Sequence, residues 1–127
     1  MSLRSPIGRV LGLGAAKAGA AHWWSQRVTS VALVVLALWF VASLLRFPNF
    51  DHPMVTQWIS APLNAVLLCL LVGSATYHSQ LGVQVVVEDY VHGSLKVVTI
   101  LLINFIHVAL AAVGIFAVLR IAFGAAA

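Results

Sequence analysis

The residues most able to do chemistry lie in the stretch HSQLGVQVVVEDY, residues 78–90. His78 stands inside a strongly apolar run, and Glu88, Asp89 and Tyr90 end that run. Ten helical residues span about 15 Å, which places His78 near the middle of a bilayer if Glu88 marks its surface. An ionisable group at that depth is costly and is by default functional or paired. A hydrogen bond to a neighbouring helix and a metal or haem ligand are the open alternatives.

The residues that share a helical face with His78 favour close approach of another group. Positions three and four residues away lie on that face, and here they are Ser74, Ala75, Leu81 and Gly82. Apart from the leucine they are small, which leaves clearance for a flat macrocycle against a histidine, and neutral imidazole is a common iron ligand. Small residues also let membrane helices pack closely, so both interpretations remain open.

Asp89 and Tyr90 follow His78 at a spacing that suits a shared face. Eleven residues overshoot three helical turns by about 20°, so Asp89 would lie on the His78 face, about 16 Å nearer the membrane surface. A tyrosine there offers an O–H to a ligand carbonyl, and an adjacent acid can orient the tyrosine or relay protons. The alternative is a solvated helix end with Tyr90 as an interface anchor.

Arg27 and His22 precede the first apolar stretch, at the membrane level expected for Tyr90. A guanidinium forms bidentate bonds to carboxylates, including those of a cofactor, and His22 could join it. The usual excess of basic residues on the cytoplasmic side of membrane proteins explains such an arginine equally well.

His107 is a second histidine at the same predicted depth as His78, counted from Lys96, and Asn104 shares its face. Two histidines at one level on adjacent helices could ligate a single haem within this chain. They could also belong to different sites, or His107 could hydrogen-bond a neighbouring helix.

The elements that must position these residues are membrane-spanning helices. Of 127 residues, 62% are hydrophobic and 8% charged, a composition that no soluble domain of this size could bury in one core. Residues 28–47, 61–87 and 97–123 each reach the length of about 20 residues that crosses a bilayer. The sequence therefore predicts an all-α integral membrane protein with three transmembrane helices. We expect one domain, residues 1–127, with an N-terminal extension over residues 1–21 that has little structure of its own.

The basic residues predict the orientation of the chain in the membrane. Arg46 and Arg120 fall on one side, and the other side carries Arg4, Arg9, Lys17, Arg27 and Lys96. By the positive-inside rule the N-terminus is expected to be cytoplasmic and the C-terminus to lie on the opposite side. The net charge of +4 therefore needs no nucleic-acid partner. The N-terminal segment lacks the long apolar core of a cleaved signal peptide, and a bacterial inner membrane is expected rather than a mitochondrial one.

No other catalytic constellation is present in the sequence. It has no Walker phosphate-binding loop, no zinc-ligand spacing and no serine elbow. Its three acidic residues are too few for a carboxylate relay through a membrane. The single cysteine, Cys69, lies inside the second apolar stretch and is expected to be a packing residue.

Together these features resemble the hydrophobic membrane anchor subunit of succinate dehydrogenase, the D-type anchor of respiratory complex II, in its alphaproteobacterial form. The family pattern of a histidine, ten residues and then Asp-Tyr in the second of three helices matches His78, Asp89 and Tyr90. The segment GAAHWWSQRVTS, with Arg27 followed by Thr29, is similar to the family's stretch before the first helix. The resemblance covers residues 19–123.

The resemblance implies a haem and a quinone site. It makes His78 an axial ligand of haem b, with the second histidine supplied by the partner anchor. It makes Tyr90 a hydrogen-bond donor to a ubiquinone carbonyl, with Asp89 beside it. Arg27 matches an arginine near the haem propionates and the edge of the quinone pocket. His22 is the candidate for a propionate-binding histidine, although it stands one residue closer to Arg27 than the family pattern.

The resemblance also implies partners. They are a second membrane anchor, which is the cytochrome b subunit, an iron-sulfur subunit and a flavoprotein that oxidises succinate, so this chain would be a non-catalytic anchor. Three alternatives remain open from the sequence. They are the anchor of a fumarate reductase, a self-contained b-type cytochrome that uses His78 and His107, and an assembly protein without a cofactor.

Overall fold

The computed structural model describes residues 15–124, and these residues form four helices with no strand among them. Helix α1 runs over Ala15–Leu44, α2 over His52–Ser60, α3 over Pro62–Tyr90 and α4 over Ser94–Ala122. Three of them contain segments long and apolar enough to cross a membrane: Gly19–Leu44, Pro62–Tyr90 and Ser94–Ala122. The predicted all-α protein with three membrane-spanning helices is confirmed.

Helix α1 begins earlier than the first predicted stretch, residues 28–47. The alanine-rich segment from Ala15 is helical, where little structure was predicted for residues 1–21, because alanine has the highest intrinsic helix propensity. The part of that extension before Ala15, with Arg4 and Arg9, lies outside the described residues. The helix ends at Leu44, ahead of Pro48, because proline disfavours helical geometry in the residue before it and lacks the backbone N–H.

Helix α2 was not among the predicted elements. Pro53 occupies the first turn of α2, where the missing N–H of a proline costs nothing. This short helix brings Trp58 against α1, where its ring stacks on Trp39 with centroids 5.6 Å apart. Phe40 and Phe47 also contact Trp58, so an aromatic cluster closes the end of the bundle opposite Tyr90.

Helix α3 lies between α1 and α4 and contacts both. The two helices α3 and α4 approach closely at Gly114, where an added Cβ would lie 2.8 Å from Cγ1 of Val72. Few side chains are fully buried in the described part of the chain, and most of the large apolar residues of the three long helices are exposed. That surface is suited to lipid or to partner helices, since hydrocarbon tails are as apolar as leucine.

Candidate functional site

His78 lies at the interface between α3 and α1, half-buried, with a hydrogen-bond partner on each ring nitrogen. Its Nδ1 is 2.9 Å from Oγ1 of Thr29. That oxygen also lies 2.8 Å from the backbone carbonyl of Ser25, to which its hydroxyl proton is donated. When that proton is directed to Ser25, the oxygen of Thr29 is an acceptor for His78, which matches the imidazole tautomer with its proton on Nδ1.

Gln26 faces the other ring nitrogen of His78. Its side-chain Nε2 lies 3.2 Å from Nε2 of His78 and donates to the lone pair there, as expected when the imidazole proton is on Nδ1. The second amide atom, Oε1 of Gln26, is buried and has no hydrogen-bond partner in the structure. Nε2 of His22, one turn earlier on α1, is also buried and has no hydrogen-bond partner in the structure. Unpaired buried polar atoms are costly, so both indicate a group that the bare chain lacks.

The side-chain amide of Gln26 stands directly in front of Nε2 of His78. A Cβ added to Gly82 would stand 3.7 Å from that amide nitrogen. The group in front of Nε2 is therefore the end of a flexible side chain and not backbone. An imidazole held at Nδ1, with only a movable side chain in front of Nε2, has the donor chemistry of a haem ligand. In that respect His78 fits a haem iron.

Asp89 and Tyr90 are the last two residues of α3, so the helix continues as far as the shared-face prediction requires. Both are exposed, Tyr90 to 81%, and neither side chain makes a hydrogen bond within residues 15–124. Their neighbour Glu88 is engaged instead, because its carboxylate accepts a bond from Nε2 of Gln84 at 2.8 Å. The acid and phenol that sequence reasoning selected are thus available to a ligand or a partner.

Arg27 is exposed on α1, and its guanidinium carbon lies 5.3 Å from the centre of the Trp23 ring. Such cation–π contacts are weak at exposed sites. Within the described residues no hydrogen bond or ion pair joins Arg27 to Asp89 or Tyr90. Arg27 stands between Gln26 and Thr29, which both contact His78, so it lies at the level of His78. Tyr90 is twelve residues, about 18 Å, further along α3, so the expectation that Arg27 and Tyr90 share one membrane level is wrong.

His107 belongs to a different interface. Its Nδ1 donates to the carbonyl of Ile103 at 2.8 Å, and its Nε2 lies 3.2 Å from Oγ of Ser79. Ser79 and His78 are consecutive on α3 and therefore project about 100° apart, one towards α4 and one towards α1. The structure does not bring His78 and His107 to one site.

Polar contacts that the sequence reasoning missed connect α3 to α4. Nε2 of Gln80 donates to Oδ1 of Asn104 at 2.8 Å. Beside this bond lies a cavity of about 410 Å³ whose wall includes Tyr77, Thr76 and His107. Amide side chains inside an apolar helix are the signal that could have predicted this link, because they require partners at membrane depth.

The fold and site together define a class of protein, a three-span integral membrane subunit with a histidine at mid-depth and an acid-tyrosine pair at one end. The family described as "Succinate dehydrogenase/Fumarate reductase transmembrane subunit" matches residues 1–119. The chain belongs to this family.

Curated relatives are similar over most of the chain. The succinate dehydrogenase hydrophobic membrane anchor subunit of Rickettsia bellii is 36% identical over 88 residues, which are 69% of this chain and 70% of the relative. The protein of the same name from Rickettsia conorii is 38% identical over 79 residues, 61% of this chain and 63% of the relative. The one from Paracoccus denitrificans is 27% identical over 114 residues, 90% of this chain and 88% of the relative. No solved structure shows a significant match to this chain.

Proposed function

We propose that this chain is the membrane anchor of a succinate:ubiquinone oxidoreductase and contributes one haem b ligand and part of the quinone site. The observation that carries the proposal is the environment of His78, whose Nδ1 is held by Thr29 and whose Nε2 faces only a displaceable amide. The names of the relatives support the succinate dehydrogenase assignment.

The haem would be held by Nε2 of His78, after Gln26 moves aside, with the second axial histidine supplied by the partner anchor. Haem iron supplies reversible one-electron chemistry when it is bound. Arg27 lies on α1 at the level of His78, and His22 lies about one turn nearer the expected cytoplasmic surface than Gln26. Both can bind propionates. The unpaired Nε2 of His22 supports that role despite its departure from the family spacing.

The quinone would bind at the end of α3. Tyr90 donates its O–H to a carbonyl of ubiquinone, and Asp89 orients the phenol or passes protons to it. Reduction of ubiquinone to ubiquinol takes two electrons, which succinate releases on oxidation to fumarate, and two protons from the adjacent aqueous surface. The exposure of both side chains supports this assignment.

The different depths of His78 and Asp89 in the membrane suggest how the complex is arranged. Asp89 lies about 16 Å along α3 from His78, so the quinone is nearer the aqueous surface than the haem. An iron-sulfur subunit on the cytoplasmic side would then pass electrons from the flavoprotein to quinone over a short gap. The large exposed apolar surface of the long helices supports a second membrane anchor as a further partner. A bacterial inner membrane suits the organisms of the similar proteins.

Co-purification tests this proposal. The full chain, affinity-tagged and extracted from its native membrane in mild detergent, should retain a flavoprotein, an iron-sulfur protein, a second small membrane protein and haem b. A chain that purifies with haem b but without the two peripheral subunits would instead be a self-contained cytochrome. A chain with neither haem nor partners would be an assembly protein. Either result contradicts the proposal.

The anchor of a fumarate reductase is a second candidate function, because the family description covers both enzymes. It shares this architecture and runs the reaction in the reverse direction with a different quinone. The names of the similar proteins favour succinate dehydrogenase. Identification of the quinone extracted with the purified complex separates the two: ubiquinone supports the first function, and a low-potential quinone supports the second.

A further inference from the structure

Thr29 makes a contact that the proposed function leaves unused. Its hydroxyl is the partner of His78 Nδ1 at 2.9 Å, across the interface between α1 and α3. We propose that Thr29 is a positioning residue for the haem ligand, fixing the imidazole with its proton on Nδ1 and raising the electron density at Nε2. This inference rests on the proposed function, in which His78 ligates haem iron.

The direction of the proton follows from what surrounds the hydroxyl. Oγ1 of Thr29 is 2.8 Å from the carbonyl of Ser25 and 3.1 Å from that of Gln26, and both carbonyls can only accept. The hydroxyl proton is therefore used within α1, and the oxygen accepts the proton of His78 Nδ1. The opposite tautomer would place a proton on Nε2, opposite the amide donor of Gln26.

Thr29 thereby also fixes the orientation of the imidazole ring. A threonine has a restricted χ1, and the back-bond to α1 restricts it further, so the hydroxyl is a stationary acceptor. The ring is held at Nδ1, while Nε2 faces the side-chain amide of Gln26. Histidines that bind a metal commonly depend on such a hydrogen-bond partner, and removal of the partner weakens metal binding by about 10- to 100-fold.

The electronic consequence has a definite sign. An imidazole that donates from Nδ1 to an acceptor is a more basic ligand at Nε2. A more basic ligand stabilises ferric over ferrous iron and lowers the reduction potential. Loss of the Thr29 hydroxyl should therefore raise the midpoint potential of the haem, which a merely structural role would not do.

Thr76 provides a matched control. Its Oγ1 makes the same two back-bonds within a membrane helix, to the carbonyls of Val72 at 2.8 Å and Gly73 at 3.1 Å. It makes no hydrogen bond to a histidine in the described residues. Replacement of Thr76 by valine therefore removes the same hydroxyl and the same back-bonds at a similar depth, without affecting the imidazole.

The experiment compares Thr29→Val, Thr29→Ala, Thr29→Ser and Thr76→Val in the intact complex. The readouts are the midpoint potential from a redox titration of haem absorbance and the rate of haem transfer to an added apoglobin. We expect Thr29→Val and Thr29→Ala to shift the potential to more positive values and to release haem about 10-fold faster. Thr29→Ser, which keeps the hydroxyl, and Thr76→Val should match the unmodified complex.

Three results would overturn the inference. They are an unchanged potential in both hydroxyl-free variants, an equal shift in Thr29→Ser, and an equal shift in Thr76→Val. A complex that keeps its haem spectrum after His78→Ala would overturn the proposed function itself. Loss of haem in His78→Ala together with unchanged potentials in the Thr29 series overturns only the role of Thr29.

Discussion

Tyr90 and Tyr77 are the two tyrosines of the chain, and they lie in different surroundings. Tyr90 ends α3 and is 81% exposed, whereas Tyr77 stands beside the cavity between α3 and α4. In the proposed function, Tyr90 binds the quinone carbonyl and Tyr77 does not. Replacement of each by phenylalanine removes one hydroxyl and keeps the ring, so the pair forms its own control.

We expect Tyr90→Phe to lower succinate-to-quinone activity about 10-fold, the effect of losing one hydrogen bond of roughly 1.4 kcal/mol. Succinate oxidation with a water-soluble artificial acceptor should be unchanged, because that reaction bypasses the quinone. Tyr77→Phe should leave both activities near normal. Equal loss of both activities in Tyr90→Phe would mean that Tyr90 supports assembly and not quinone binding.

Much of the candidate site could be predicted from residue spacing, and the rest could not. The depth of His78 and its alignment with Asp89 follow from one helix, and α3 is continuous over both residues. The partners of His78 depend on which face of α1 meets α3, and a count along one helix does not contain that information. The same limit left three arrangements open for His107, which proves to lie within hydrogen-bond distance of Ser79.

At the scale of elements, α3 and α4 approach each other closely at Gly114. A Cβ at position 114 would stand 2.8 Å from Cγ1 of Val72, and valine is stiff at χ1 and cannot easily turn aside. Gly73, the next residue on α3, has nothing within 4 Å of an added Cβ. Replacement by alanine is therefore expected to affect stability differently at these two glycines.

Gly114→Ala should destabilise the helix pair by about 1–3 kcal/mol, the usual cost of overpacking. Gly73→Ala should be neutral or slightly stabilising, because alanine favours the helix more than glycine does. Thermal inactivation of the purified complex measures both. Added truncation of the clashing side chain, Val72→Ala, should restore much of the loss in Gly114→Ala. Equal midpoints for the two single variants would contradict the packing described here.

The elements themselves were only partly predictable. The three membrane spans follow from apolar stretches of sufficient length, which is the strongest signal such a sequence carries. Helix α2 has nine residues, which is too short to give the signal of a membrane span, so it was not predicted. The early start of α1 was missed because its alanine- and glycine-rich beginning has no apolar periodicity, although alanine alone favours a helix.

At the scale of the whole molecule, the predicted orientation can be tested through single cysteines. His92 lies in the exposed connection between α3 and α4, and Asn49 in the exposed connection between α1 and α2. We expect a membrane-impermeant maleimide to label His92→Cys only in inside-out vesicles and Asn49→Cys only in intact spheroplasts. The native Cys69 lies inside α3 and should be labelled in neither preparation. The reverse pattern would contradict the positive-inside assignment.

The haem spectrum of two histidine variants tests the central claim most directly. His78 contacts Thr29 and Gln26 at the interface of α1 and α3, whereas His107 is bonded to Ser79 and Ile103 at another interface. In the purified complex we predict that His78→Ala loses or strongly disturbs the reduced-minus-oxidised absorption of haem b, while His107→Ala leaves it near normal. A normal spectrum in His78→Ala with a lost spectrum in His107→Ala would contradict the account.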